Sequence, residues 1–147
     1  MTVAKIVFAS LTGNTEEIAD VVAETLEDLA IEVEMEEVGA VEAEDFESAD
    51  ICIVATYTYS EGDLPEEMKD FYEELQELDL TGKIYGVVGS GDTFYKNFAT
   101  SVNRFEEAFE KTGAIKGADF VKVDTNAEEE DIQNLEAFAK KIAAVAN

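Results

Sequence analysis

The chain has 147 residues, 46% of them hydrophobic, enough for one domain with its own core and no need of metal or disulfide staples. Ten basic against 35 acidic residues give a formal net charge of −25, which excludes ordinary nucleic-acid binding and argues against anionic membranes. There is no histidine, so the commonest general base and every Ser-His or Cys-His nucleophile are missing, and the single cysteine, Cys52, excludes an internal disulfide.

Val3 to Ala9 is an apolar run broken only by Lys5, the pattern of a strand buried on both faces of a parallel sheet. It breaks into Ser10-Leu11-Thr12-Gly13-Asn14-Thr15, and a helical pattern follows with Ile18, Val21, Val22, Leu26 and Leu29 on one face. A strand that enters a hydroxyl-rich turn and then a helix turns several backbone N–H groups outward, which makes an anion site. The Walker pattern is absent, since the second glycine and the lysine are missing, so the turn suits a single terminal phosphate. A plain cap, with Asn14 as N-cap and Glu17 closing a capping box, is the simpler alternative.

Ile31 to Val38 alternates apolar and acidic residues and predicts an edge strand with one solvated side. Gly39 to Ser48 is a connector anchored by Phe46. Ile51 to Ala55 is a second fully apolar strand, and buries Cys52 as a structural thiol; it runs into Thr56-Tyr57-Thr58-Tyr59-Ser60-Glu61-Gly62-Asp63. An amphipathic helix over Glu66 to Leu78 presents Met68, Phe71, Tyr72 and Leu75. The strand Lys83 to Val88 ends in Gly89-Ser90-Gly91-Asp92-Thr93-Phe94-Tyr95, and Phe98, Val102, Phe105 and Phe109 mark the next helix. A short strand, Phe120 to Val123, precedes a last helix capped by Asn126 and Glu129, with Ile132, Leu135, Phe138, Ile142 and Val145 facing inward.

This alternation over residues 1–147 predicts one α/β domain, a three-layer doubly wound five-stranded parallel sheet of order 2-1-3-4-5. The polar segments after the first, third and fourth strands then share one rim. The second and third carry tyrosines among glycines and small polar residues, suited to sandwich a flat heterocycle whose edges the backbone can approach. With a phosphate at the far end, that ligand is a mononucleotide.

The three segments S-L-T-G-N-T, A-T-Y-T-Y-S-E-G-D-L-P and G-S-G-D-T-F-Y-K-N-F together resemble the flavin-binding loops of short-chain flavodoxins, and the resemblance covers essentially the whole chain. It implies an FMN cofactor and a carrier rather than an enzyme, moving one electron at a time at low potential between a flavodoxin-reductase-type donor and acceptor oxidoreductases. It places the phosphate on Ser10, Thr12, Asn14 and Thr15 with amides from Leu11 through Gly13 to Thr15, and Tyr59 and Tyr95 on the inner and outer ring faces. Asp92 falls at the pyrimidine edge, Thr56 and Tyr57 line the ribityl or ring, and Thr58, Ser60, Gly62, Ser90, Gly91 and Phe94 complete the three loops. Ser60 stands where many members have glycine, a departure expected to weaken stabilisation of the one-electron-reduced flavin.

No Lys or Arg occurs in these loops except Lys96, so aromatic cover and the −25 background both disfavour a reduced flavin anion. Glu61, Asp63, Glu66 and Glu67 form an acidic rim expected to dock redox partners that carry basic patches. The chain lacks a secretion signal and a membrane-length apolar stretch, and is expected to be a cytoplasmic monomer. The nearest alternative is an FMN-dependent quinone reductase on the same fold. A receiver domain lacks its acidic pair here, and a dinucleotide enzyme its third glycine, Phe94 standing in that place. The acidic runs Glu42 to Asp45 and Glu128 to Asp131 lack calcium-loop spacing and fit solvated helix starts.

Overall fold

The structure, a computed structural model, describes residues 2–9, 13–58, 64–91, 99–125 and 127–146. Its strands are β1 (Val3–Phe8), β2 (Glu32–Glu37), β3 (Ile51–Tyr57), β4 (Ile84–Gly91), β5 (Ile115–Lys116) and β6 (Val121–Asp124). Its helices are α1 (Asn14–Asp28), α2 (Lys69–Leu75), α3 (Thr100–Lys111) and α4 (Glu129–Ala146). All strand pairs are parallel, in the order β2-β1-β3-β4, and β5 and β6 both pair with the outer edge of β4. The expected doubly wound order is therefore present, with its last strand in two pieces. Lys116 pairs with Tyr85 but Val121 pairs with Val88, so residues 117–120 lie against only two residues of β4 and interrupt the edge pairing. Sequence periodicity misses Ile115–Lys116 because two residues are too short to show alternation.

The period-two alternation of buried strands divides the core. Ala4, Ile6, Phe8, Ile51, Ile53 and Val88 pack with α1 and α4 on one face, whereas Val7, Cys52, Val54, Tyr85 and Val87 pack with α2 and α3 on the other. Phe46 fills the second layer edge-on to Phe71, 5.7 Å between centroids, so the connector is anchored where the sequence suggests. Cys52 is fully buried, and desolvation pushes its thiol up to about 12, which keeps it protonated and inert. β2 is the acidic edge: Lys5 on β1 reaches Glu34 across the strand pair at 3.6 Å, while Val33 and Met35 turn toward the core.

Several boundaries differ from the sequence expectation for packing reasons. Thr56, Tyr57, Gly89, Ser90 and Gly91 belong to strands rather than loops, because β3 and β4 continue their pairing as far as Tyr57 opposite Ser90. The helix expected over Glu66 to Leu78 is a 3-10 turn, Glu66–Met68, followed by the short α2. Leu29 is 40% exposed because α1 ends at Asp28 and leaves it on the C-cap, and Val145 is 45% exposed because Ala139 and Ala143 take the inward positions near the end of α4. The expected cap Asn126, and Phe98, lie outside the described residues.

One charge in α3 carries a pH prediction. The Glu106 carboxyl lies 3.5 Å from Lys116 Nζ, too far for a good hydrogen bond, and its Oε2 has no hydrogen-bond partner. Burial pushes its pKa up, and the Lys116 charge offsets only part of the effect. The folded chain therefore holds this proton to higher pH than the unfolded chain, and its stabilising contribution is lost as pH rises from the ordinary carboxylate value of 4.5 through the raised one. Glu106→Gln should flatten that decline, read as urea midpoints at successive pH values above 4.5. An unaltered slope would mean that other groups set it.

Candidate functional site

β1, β3 and β4 end side by side, and the chain reverses its direction of growth between β1 and β3. In an open parallel sheet that reversal leaves a crevice at the carboxyl ends of the strands. α1 begins there. Its cap is Gly13, at φ 91°, a left-handed conformation that favours glycine, and the Gly13 carbonyl accepts from the amide of Glu17. Asn14 is inside the helix, so it is not the N-cap and the simple capping-box reading does not hold. The first-turn amides have no carbonyl within α1 to bond to, and the helix runs 15 residues with the positive end of its dipole at the rim. Among the described residues, a Cβ built on Gly13 would meet nothing within 4 Å. This donor set fits a phosphate, held by amides and dipole without a lysine or arginine.

The rest of the rim is tied together by hydroxyls. Thr15 is buried, and its Oγ1 lies 2.9 Å from Ser90 Oγ, across 75 residues of sequence. Its hydroxyl thus joins α1 to β4. The Thr58 amide donates to the Ser90 carbonyl at 3.0 Å, which carries the β3–β4 pairing past the end of β3, and the Thr125 amide donates to the Gly91 carbonyl at 2.7 Å. Thr56 is fully buried, with Oγ1 donating to the Tyr57 carbonyl at 3.3 Å. The Tyr57 hydroxyl donates to Glu67 Oε1 at 2.9 Å, so this ring edge is linked to the acidic rim. Glu66 pairs with Lys69 at 3.0 Å on the exposed surface.

Gly13, Asn14, Thr15, Thr56, Tyr57, Thr58, Ser90 and Gly91 are thereby brought to one end of the sheet. Ser10, Leu11, Thr12, Tyr59, Ser60, Gly62, Asp92, Phe94 and Tyr95 lie outside the described residues, as do Glu61, Asp63 and Lys96. Sequence reasoning missed Ser101, a fully buried hydroxyl on α3 that bonds both Tyr57 and Thr58. The signal was present: Ser101 stands in the stripe of Phe105, Ala108 and Phe109, as a polar residue at a core spacing. Among the described residues, no group of His, Cys, Asp or Glu is arranged to hold a metal, and no helix is long and apolar enough to cross a membrane.

A doubly wound parallel sheet with an anion-ready helix start at its switch point defines a mononucleotide-binding α/β protein. Comparison with known proteins gives the family. The flavodoxin family profile matches residues 6–138, and the chain belongs to that family. It is 61% identical to the Streptococcus pneumonia TIGR4 flavodoxin, with a TM-score of 0.96 over 98% of this chain and 99% of that one. It is 47% identical to a short-chain flavodoxin associated with a bacterial microcompartment, with a TM-score of 0.98 over 100% of both chains. Among curated proteins it is 34% identical to the probable flavodoxin 1 of Bacillus subtilis (strain 168), over 100% of this chain and 94% of that protein. The chain is a short-chain flavodoxin, a small FMN-binding electron carrier that interacts with oxidoreductases, and nothing in these relationships favours a quinone reductase.

Proposed function

We propose that this single domain, residues 1–147, holds FMN through the three segments named from the sequence and transfers electrons at an exposed ring edge. The phosphate would sit on Ser10, Thr12, Asn14 and Thr15 and on the amides from Leu11 to Thr15; the ring would lie between Tyr59 and Tyr95, with Asp92 at its pyrimidine edge. The observation that supports this reading is the meeting of three segment roots at Ser90, which lies within hydrogen-bond distance of both Thr15 and Thr58, each remote in sequence. FMN supplies one-electron chemistry when bound; the chain binds, orients and covers it. The bound group can be followed by absorbance of the purified protein during stepwise reduction. Tyr95→Ala should weaken FMN binding by about fivefold to 150-fold, the cost of about 1–3 kcal/mol for losing one aromatic stacking partner. Retention of FMN at wild-type affinity would move the ring elsewhere.

Partners with basic patches would dock on Glu61, Asp63, Glu66 and Glu67, with the chain acting as a cytoplasmic monomer. Support comes from the net charge of −25 and from the hydrogen bond that joins Glu67 to Tyr57 beside the site. Charge reversal at Glu66 and Glu67 together is expected to lower the association rate with a reductase by about threefold to tenfold at low salt and to flatten its salt dependence. Turnover and salt response identical to wild type would place docking on another face.

A further inference from the structure

We infer that Ser101 is a positioning residue for the flavin site, a clamp from α3 that fixes the backbone at Tyr57 and Thr58. The inference rests on the assignment of Tyr57 and Thr58 to the FMN site.

Three short contacts meet at this side chain. The Ser101 amide donates to Thr58 Oγ1 at 3.0 Å, Ser101 Oγ donates to the Tyr57 carbonyl at 2.9 Å, and the two hydroxyl oxygens of Ser101 and Thr58 lie 2.9 Å apart. Proton counting assigns the direction of the third. A carbonyl accepts only, so the single Ser101 hydroxyl proton goes to Tyr57, and the Thr58 hydroxyl must donate to Ser101 Oγ. Thr58 Oγ1 in turn accepts the Ser101 amide. Every hydrogen in the cluster is used once, and the arrangement admits only one direction.

Ser101 is fully buried, so water does not replace it cheaply. The Thr58 amide is held from the opposite side by the Ser90 carbonyl, at 3.0 Å, and Ser90 is in turn held by Thr15. Thr58 is thus gripped by β4 through its backbone and by α3 through its side chain. Nothing in helix α3 itself requires this serine: α3 is capped by Ala99 at φ 48°, and Ser101 spends its hydroxyl on another element. Alanine at this position would leave the Tyr57 carbonyl and the Thr58 hydroxyl each one partner short.

The test uses the full chain with FMN. Ser101→Ala is expected to raise the FMN dissociation constant about tenfold, as the loss of one hydrogen bond each at Tyr57 and Thr58 implies. It should also speed hydrogen exchange of the Thr58 amide and shift the two one-electron potentials unequally. Ser101→Thr, which keeps the hydroxyl, should restore all three, and Thr58→Val should reproduce the alanine variant without adding to it in the double substitution. A Ser101→Ala protein with lowered melting temperature but unchanged FMN affinity, Thr58 exchange and potentials would overturn the inference and reduce Ser101 to a packing role. If Ser101→Ala does not fold, Thr58→Val alone decides on the same readouts. Failure of the underlying assignment looks different: FMN affinity would then be indifferent to Thr58→Val and to Tyr95→Ala alike.

Discussion

Gly89→Val is expected to destabilise the protein by about 3 kcal/mol or more and to lower its melting temperature by roughly 6–12 °C. A Cβ at Gly89 would lie 2.5 Å from Val102 Cγ2 and 2.7 Å from the Thr56 carbonyl oxygen. The first neighbour is a side chain and could give way. The second is backbone of β3, paired in register with Gly89, and it can retreat only by parting the two central strands at their carboxyl ends. That is the end proposed to bind FMN, so FMN affinity should fall with stability. Gly39→Ala is the control, since a Cβ there meets nothing within 4 Å, and it should stay within about 0.5 kcal/mol of wild type. Calorimetry of both variants without FMN, followed by FMN titration, separates the backbone effect from ligand stabilisation. A Gly89→Val protein as stable as wild type would mean that β3 and β4 are looser than their pairing implies.

Phe109→Ala is expected to cost about 3–5 kcal/mol, the usual range for emptying a buried aromatic site. Phe109 is fully buried, stacks on Tyr85 with centroids 4.8 Å apart and planes 12° apart, and touches Phe46 at 5.8 Å. It therefore joins α3, β4 and the connector in one contact. Neighbouring side chains are held by their own rings, Phe46 by Phe71 and Phe105 by Tyr72 at 5.4 Å, so the cavity has little to collapse with. Phe109→Leu, which keeps most of the volume, should lose only about 1.5 kcal/mol. Urea denaturation of the two variants is decisive. Equal losses would mean that the cost lies in the aromatic stack rather than the cavity.

The two effects have a common origin. Gly89 on β4 lies against Val102 of α3, and Phe109 of α3 stacks on Tyr85 of β4, so both positions join α3 to the sheet; Ser101, beside Val102 on α3, reaches Tyr57 and Thr58. Support for the proposed flavin site would thus come from a helix that the loop motifs do not name.

The sequence by itself determined the architecture, because β1 and the first five residues of β3 are apolar runs broken only by Lys5, and the edge strand alternates with glutamates; these patterns are set by local period and by which faces see water. It also determined the family and the class of ligand, because the motifs that resemble flavin-binding loops are short contiguous segments whose residues stay together in any fold. Other features needed the tertiary structure. The lengths of β3 and β4 depend on pairing between residues 33 positions apart, from Ile51 with Ile84 to Tyr57 with Ser90, which no local window contains. The exposure of Leu29 and Val145 follows from where two helices leave the core, although both residues obey the helical period. The Thr15–Ser90 and Thr58–Ser101 bonds span 75 and 43 residues, and a hydroxyl carries no mark of its distant partner. Periodicity tells a side chain which way to face; only the packed chain decides what it meets there.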